Sequence, residues 1–220
     1  GTMTKSKAHL SKSIALLSAS LLVGTTAFAA TIYDKRENAL DRSFSPALGN
    51  EFGDQVFVSG AERKISDFQF DYFVEGSGNE VAELFIYKND GGVSGVTPGS
   101  LLYQSGQLSL TQGYNTHVIQ ALSITVPNTF TWTVKFGGVG VGEQVGLLLA
   151  NPATVGIGTS LDDYWMLNDG SWSTFLLDSG ATPANFSARI TAVPEPSSVV
   201  LALLGGLALL GFRRGQRSSV

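Results

Sequence analysis

The sequence predicts an all-β protein: a single jelly-roll-like β-sandwich of about nine or ten antiparallel strands, with an apolar helix at either end. Three observations carry this. Apolar and polar residues alternate with period two through the middle of the chain, as in half-buried strands. Turn-forming clusters interrupt that alternation at strand-length intervals. Charge is sparse, at 15% of 220 residues, while 26 glycines and frequent Thr, Val and Phe suit a fold with many turns.

The clearest alternation is Phe68, Phe70, Tyr72 and Val74 against Asp67, Gln69, Asp71 and Phe73. Phe130, Trp132, Val134 and Phe136 alternate with Thr129, Thr131, Thr133 and Lys135, which places Trp132 in the core. Phe186, Ala188, Ile190 and Ala192 repeat the pattern. Further strands are expected over 81–87, 101–104, 117–126, 145–149 and 172–177. Asn89-Asp90-Gly91-Gly92, Pro98-Gly99, Pro127-Asn128 and Ser179-Gly180 separate them. Asn168-Asp169-Gly170, between two Trp-bearing runs, signals a hairpin. Phe136 to Gly146 is glycine-rich, lacks the spacing of a dinucleotide fingerprint and a Walker lysine, and reads as another hairpin.

Both ends differ from this body. Lys5, Lys7 and Lys12 precede an apolar run from Ile14 to Val23, and Ala27-Phe28-Ala29 supplies small residues for signal-peptidase cleavage. Residues 1–29 are therefore expected to be a signal peptide, with Ala30 the mature start; Gly1 and Thr2, ahead of Met3, read as an artefact of the start. The sandwich domain is assigned to 30–192 and a tail to 193–220. Val199 to Phe212 carries no charge, and as a helix its 14 residues would span about 21 Å, short of a hydrocarbon core of about 30 Å. Pro194 and Pro196 bar its extension upstream, and Arg213, Arg214 and Arg217 form a cationic stop. These features describe a marginal, transient membrane anchor.

The order Val193-Pro194-Glu195-Pro196, apolar segment with Gly205-Gly206, then Arg213-Arg214 resembles the PEP-CTERM sorting tail of Gram-negative bacteria, also known as an ice-binding protein C-terminal domain. The resemblance implies an exosortase as partner, with Pro194, Glu195 and Pro196 as the processing motif. It implies passage through the inner membrane to the outer surface or matrix. Thr97 to Tyr103 (TPGSLLY) and Phe130 to Phe136 (FTWTVKF) are similar to stretches in the sandwich domains of PEP-CTERM surface proteins.

Little in the body speaks for catalysis. Without the six cationic residues of the two ends and Glu195, eight basic and seventeen acidic residues remain, a net −9 with no basic stripe, which excludes nucleic acid as a partner. There is no cysteine, hence no disulfide, thiolate metal site or thiol nucleophile. His117 is the body's one histidine, and no Gly-x-Ser-x-Gly elbow accompanies it. Asp67, Asp71 and Glu75 share a strand face that reads as solvated, and they are the carboxylates a glycoside hydrolase would draw on. Asp162, Asp163 and Asp169 are the candidate calcium ligands. Tyr164, Trp165 and Trp172 are the candidate platform for stacking against sugar rings. Thr129, Thr131 and Thr133 form too short a row for ice binding, and the triplet Asn185-Phe186-Ser187 reads as chance. The function expected is that of a non-enzymatic surface or matrix protein associated with exopolysaccharide or biofilm; the alternative is a polysaccharide hydrolase.

Overall fold

A computed structural model describes residues 28–36, 39–47, 49–150 and 156–195. The apolar segments expected to form the signal and sorting helices lie outside these, as do Ala27, Pro196, Arg213, Arg214 and Arg217. Among the described residues no helix is long and apolar enough to cross a membrane. In chain order the strands are β1 (Ala30–Asp34), β2 (Ala39–Phe44), β3 (Glu51–Phe57), β4 (Lys64–Glu75), β5 (Val81–Lys88), β6 (Leu101–Gln104), β7 (Leu108–Ser109) and β8 (Gly113–Ile119). They continue with β9 (Ile124–Thr125), β10 (Thr129–Gly137), β11 (Gln144–Ala150), β12 (Thr159–Ser160), β13 (Asp163–Asn168), β14 (Ser171–Leu176) and β15 (Ala188–Val193).

These strands form two antiparallel sheets that pack as a sandwich. The first runs β1-β15-β4-β11-β2, with β8 and β9 also paired to β4. The second runs β14-β13-β3-β10-β5-β6, with β12 on β3 and β7 on β5. The alternation seen in the sequence fills the space between them. Phe68, Phe70, Tyr72 and Val74 point inward from β4, and Phe130, Trp132, Val134 and Phe136 from β10, none more than 3% exposed. Phe68 meets Trp132 edge-on at 5.3 Å, and Phe186 meets Phe52 at 5.6 Å. Each such buried ring contributes about 1.5–3 kcal/mol of transfer free energy, so this face alone outweighs any single surface contact.

Three expectations are corrected. The run 117–126 is two strands: four residues, Gln120 to Ser123, stand opposite Ser66 and Asp67, and Ala121 takes a left-handed φ of 58°. The glycine-rich stretch is no hairpin, because β10 and β11 lie in different sheets and the stretch carries the chain between them. Asp71 is not solvated. It is 7% exposed and accepts hydrogen bonds from Ser187, Thr116 and the Arg36 Nε at 3.2 Å, so it ties β4 to β8 and to the approach to β15. The 168–170 hairpin is as expected. Asn168 pairs with Ser171, and Asp169 and Gly170 between them have φ of 48° and 76°, the two positive values of a type I′ turn.

Candidate functional site

Strand register decides which side chains leave the core. Trp132 pairs with Asp54 and both point inward, so Glu51, Gly53 and Gln55 of β3 face outward with Thr131, Thr133 and Lys135 of β10. On β5 the outward residues are Glu83, Phe85 and Tyr87. On the β13–β14 hairpin they are Trp165, Leu167, Trp172 and Thr174. One cross-strand row therefore reads Trp172, Leu167, Glu51, Lys135, Glu83, and the next reads Thr174, Trp165, Gly53, Thr133, Phe85, Gln104.

This outer face is concave. Strands β14 and β5 are four inter-strand spacings apart, roughly 19 Å on a flat sheet. Yet the rings of Trp172 and Tyr87 stand 5.4 Å apart at 72°, so the sheet curls until its flanks approach. The floor shows the same thing: Thr131 and Thr133 point away from the sandwich interior and are still 0% exposed. Half-buried Tyr87, Trp165 and Trp172 thus flank a polar floor. Phe85 lies 6.2 Å from Tyr87, and Trp165 Nε1 donates to Gln55 Oε1 at 3.4 Å.

The polar groups of this cleft are oriented. Thr131 donates to Asn89 Oδ1 at 2.7 Å, which leaves Asn89 Nδ2 buried without a partner among the described residues. Thr133 donates to the Glu51 carboxylate. Burial pushes the Glu51 carboxyl up, against the opposing pull of the Thr133 and Tyr87 hydroxyls and of Lys135. Burial and then the neighbouring Glu51 charge raise the Tyr87 hydroxyl. Gln104 Nε2 donates to Glu83 at 2.7 Å. The rings cover Thr131 and Thr133, and the outward polar groups that stay accessible beside them are Gln55, Glu83, Gln104, Lys135 and Thr174. Rings bordered in this way suit a saccharide, stacking on its C–H faces while the polar groups at their edge exchange hydrogen bonds with its hydroxyls.

Of the expected platform, Trp165 and Trp172 share this face, whereas Tyr164 lies in the core, 7% exposed and 5.1 Å from Phe44. Tyr87, Gln55 and Glu51 are the residues of this face that sequence reasoning did not single out, and Asn89 entered it only as a turn residue. The aspartates separate too. Asp163 pairs with Leu176 at one end of the hairpin, and Asp169 is in the tip at the other. Asp162 accepts from Asn185 Nδ2 at 3.3 Å, and burial followed by the Asp162 charge raises Asp163. Among the described residues no group of three acidic or histidine side chains is placed to hold a metal ion. Asp67 and Glu75 lie four residues either side of Asp71 along β4, about 13 Å in each direction, too far for paired chemistry. His117 stacks on Phe70 at 5.6 Å, and burial lowers its pKa. All of Asn185, Phe186 and Ser187 are fully buried.

The ends carry the remaining features. Ala30, the expected mature start, opens β1 against Ala192. Strand β15 leads directly into Pro194 and Glu195, and Thr125 donates to Glu195 Oε1 at 2.9 Å. Residues 192–216 match the PEP-CTERM protein-sorting motif, a tail that points to export and sorting by an exosortase. No curated protein and no solved structure matches the chain.

Proposed function

We propose that the protein is a non-enzymatic surface or extracellular-matrix component whose jelly-roll-like sandwich binds exopolysaccharide through the outer face of its second sheet. One observation carries the reading: Tyr87, Trp165 and Trp172, from three separate strands, stand half-buried on one outward face beside the accessible side chains of Gln55, Glu83, Lys135 and Gln104. A sorting tail that delivers the domain outside the cell supplies the setting, where the matrix or biofilm glycan is the abundant ligand. The reading needs no cofactor, so binding is expected to survive chelation of calcium. The experiment is a glycan array and a pull-down with the exporting organism's own exopolysaccharide. Wild type should be retained, and Trp165→Ala and Trp172→Ala should not. Failure of the folded wild type to bind any glycan would leave only a structural role.

The second reading is hydrolysis, for which Glu51 and Glu83 are the carboxylates, flanking Lys135 in one cross-strand row. The covered, hydrogen-bonded state of Glu51 favours binding over turnover. Release of reducing ends that disappears in Glu51→Gln would reverse that preference.

A further inference from the structure

The described start of the sorting motif, through Glu195, is part of the fold. The family match begins at Ala192, which is fully buried within β15 between Ile65 of β4 and Ala30 of β1. Val193 still pairs with Lys64, and Pro194 follows at once. Glu195 is held to the rim of the sandwich by the Thr125 hydroxyl of β9. Pro194 and Glu195 join Ala61, Glu62 and Arg63 in lining an open cleft of about 380 Å³. Its cationic wall is fixed as well: Arg63 donates to Asn128 Oδ1 at 2.6 Å, to Gly60 O at 3.0 Å and to Glu62 O at 2.6 Å. Only five residues, 194–198, precede the uncharged run, and they span at most about 17 Å even fully extended. An enzyme working at the membrane on this motif therefore meets the rim of the folded domain at the same time.

We infer that the exosortase docks on a composite surface, formed by Pro194 and Glu195 together with the Ala61–Arg63 loop and Thr125 of β9, so that folding of the sandwich is part of the sorting signal. Thr125 is a positioning residue here. It orients one oxygen of Glu195 and leaves the other to accept from the partner, while the proline ring and Ala61 offer the apolar part of the contact. The proposal rests on the tail being a sorting signal.

The test uses the full-length chain in an exporting host, with pulse-labelling and intact mass to read how fast the tail is processed. A flexible ten-residue Gly-Ser insertion between Val193 and Pro194 keeps every motif residue but detaches it from the rim. Processing should slow about five-fold or more, because the second contact loses its effective concentration. Thr125→Val and Arg63→Ala, both at exposed contacts, should each slow it about two- to three-fold while leaving near-UV circular dichroism unchanged. Unaltered processing of the insertion chain, with processing lost in a Pro194→Ala, Glu195→Ala chain, overturns the composite surface and leaves a motif read as a linear peptide. Normal processing of the Pro194→Ala, Glu195→Ala chain overturns both the composite surface and the sorting reading beneath it. Slowing matched by lost binding of the rim variants to anionic lipid vesicles would assign this face to the membrane and overturn the enzyme as its occupant.

Discussion

The outer faces of the two sheets are built on opposite plans. On the first, Asp71 gathers Arg36, Thr116 and Ser187, and Arg36 reaches on to Gln69, so the polar groups there satisfy one another. On the second, half-buried aromatic rings cover Thr131 and Thr133 and are bordered by the accessible side chains of Gln55, Glu83, Lys135 and Gln104. A face whose hydrogen bonds are closed internally offers little to a ligand; a face that presents rings edged by accessible polar groups offers a good deal. The comparison teaches that polar groups tie one face together, while on the proposed reading those of the other serve recognition.

The largest expected effect breaks the first face. Asp71→Ala removes the acceptor that the Thr116 and Ser187 hydroxyls and Arg36 Nε share, and should cost roughly 3 kcal/mol of unfolding free energy in urea, with glycan binding per folded molecule unchanged. Trp172→Ala should do the reverse: about thirtyfold weaker polysaccharide binding, near 2 kcal/mol, with the urea midpoint almost unmoved. Loss of stability rather than binding in that variant would erase the distinction between the faces.

Between the faces lies a third arrangement. Asp54 is fully buried, and among the described residues neither its carboxylate oxygens nor Trp132 Nε1 of the opposite residue has a hydrogen-bond partner. Burial pushes the Asp54 carboxyl well up, while the backbone amides of Phe186 and Gln55 and the Ser160 hydroxyl temper the effect from beyond hydrogen-bonding geometry. An unfolded aspartate titrates near pH 4. Above that, the folded form holds its proton more tightly than the unfolded form, so stability falls as pH rises towards the raised folded value. Asp54→Asn removes that fall and should gain about 1–2 kcal/mol at neutral pH, little at pH 4. Equal gains at both pH values would show that the carboxyl is not the source. The smallest effect sharpens the binding face: Gly170→Ala forces a side chain into φ of 76° and should cost about 1 kcal/mol, loosening the hairpin that carries both tryptophans.

The long alternating strands were legible because their inward residues are uniformly apolar, as in Phe68 to Val74. Strand β3 was not. Its sequence Glu-Phe-Gly-Asp-Gln-Val-Phe places a carboxylate inward at Asp54 and a covered one outward at Glu51, so polarity no longer marks the face. The cleft was half legible for a related reason. Tryptophan at 165 and 172 could be flagged by type, but the phase separating Trp165 from Tyr164 is set by pairing with β3, which the local sequence does not reveal. Tyr87 looked like one more strand residue until curvature brought it to Trp172 from four strands away. The motif at Pro194 was plain throughout, since its recognition depends on order along the chain and not on pairing.

The placement of β15 has a mechanical consequence. This strand lies between β1 and β4, and its end leads into the tail. A pull directed along β15 from its C-terminal end acts at right angles to the hydrogen bonds on both its flanks and loads those bonds together instead of peeling them one by one. The domain is thus gripped where it would be pulled, a useful property for any molecule fastened at one end and laden at the other.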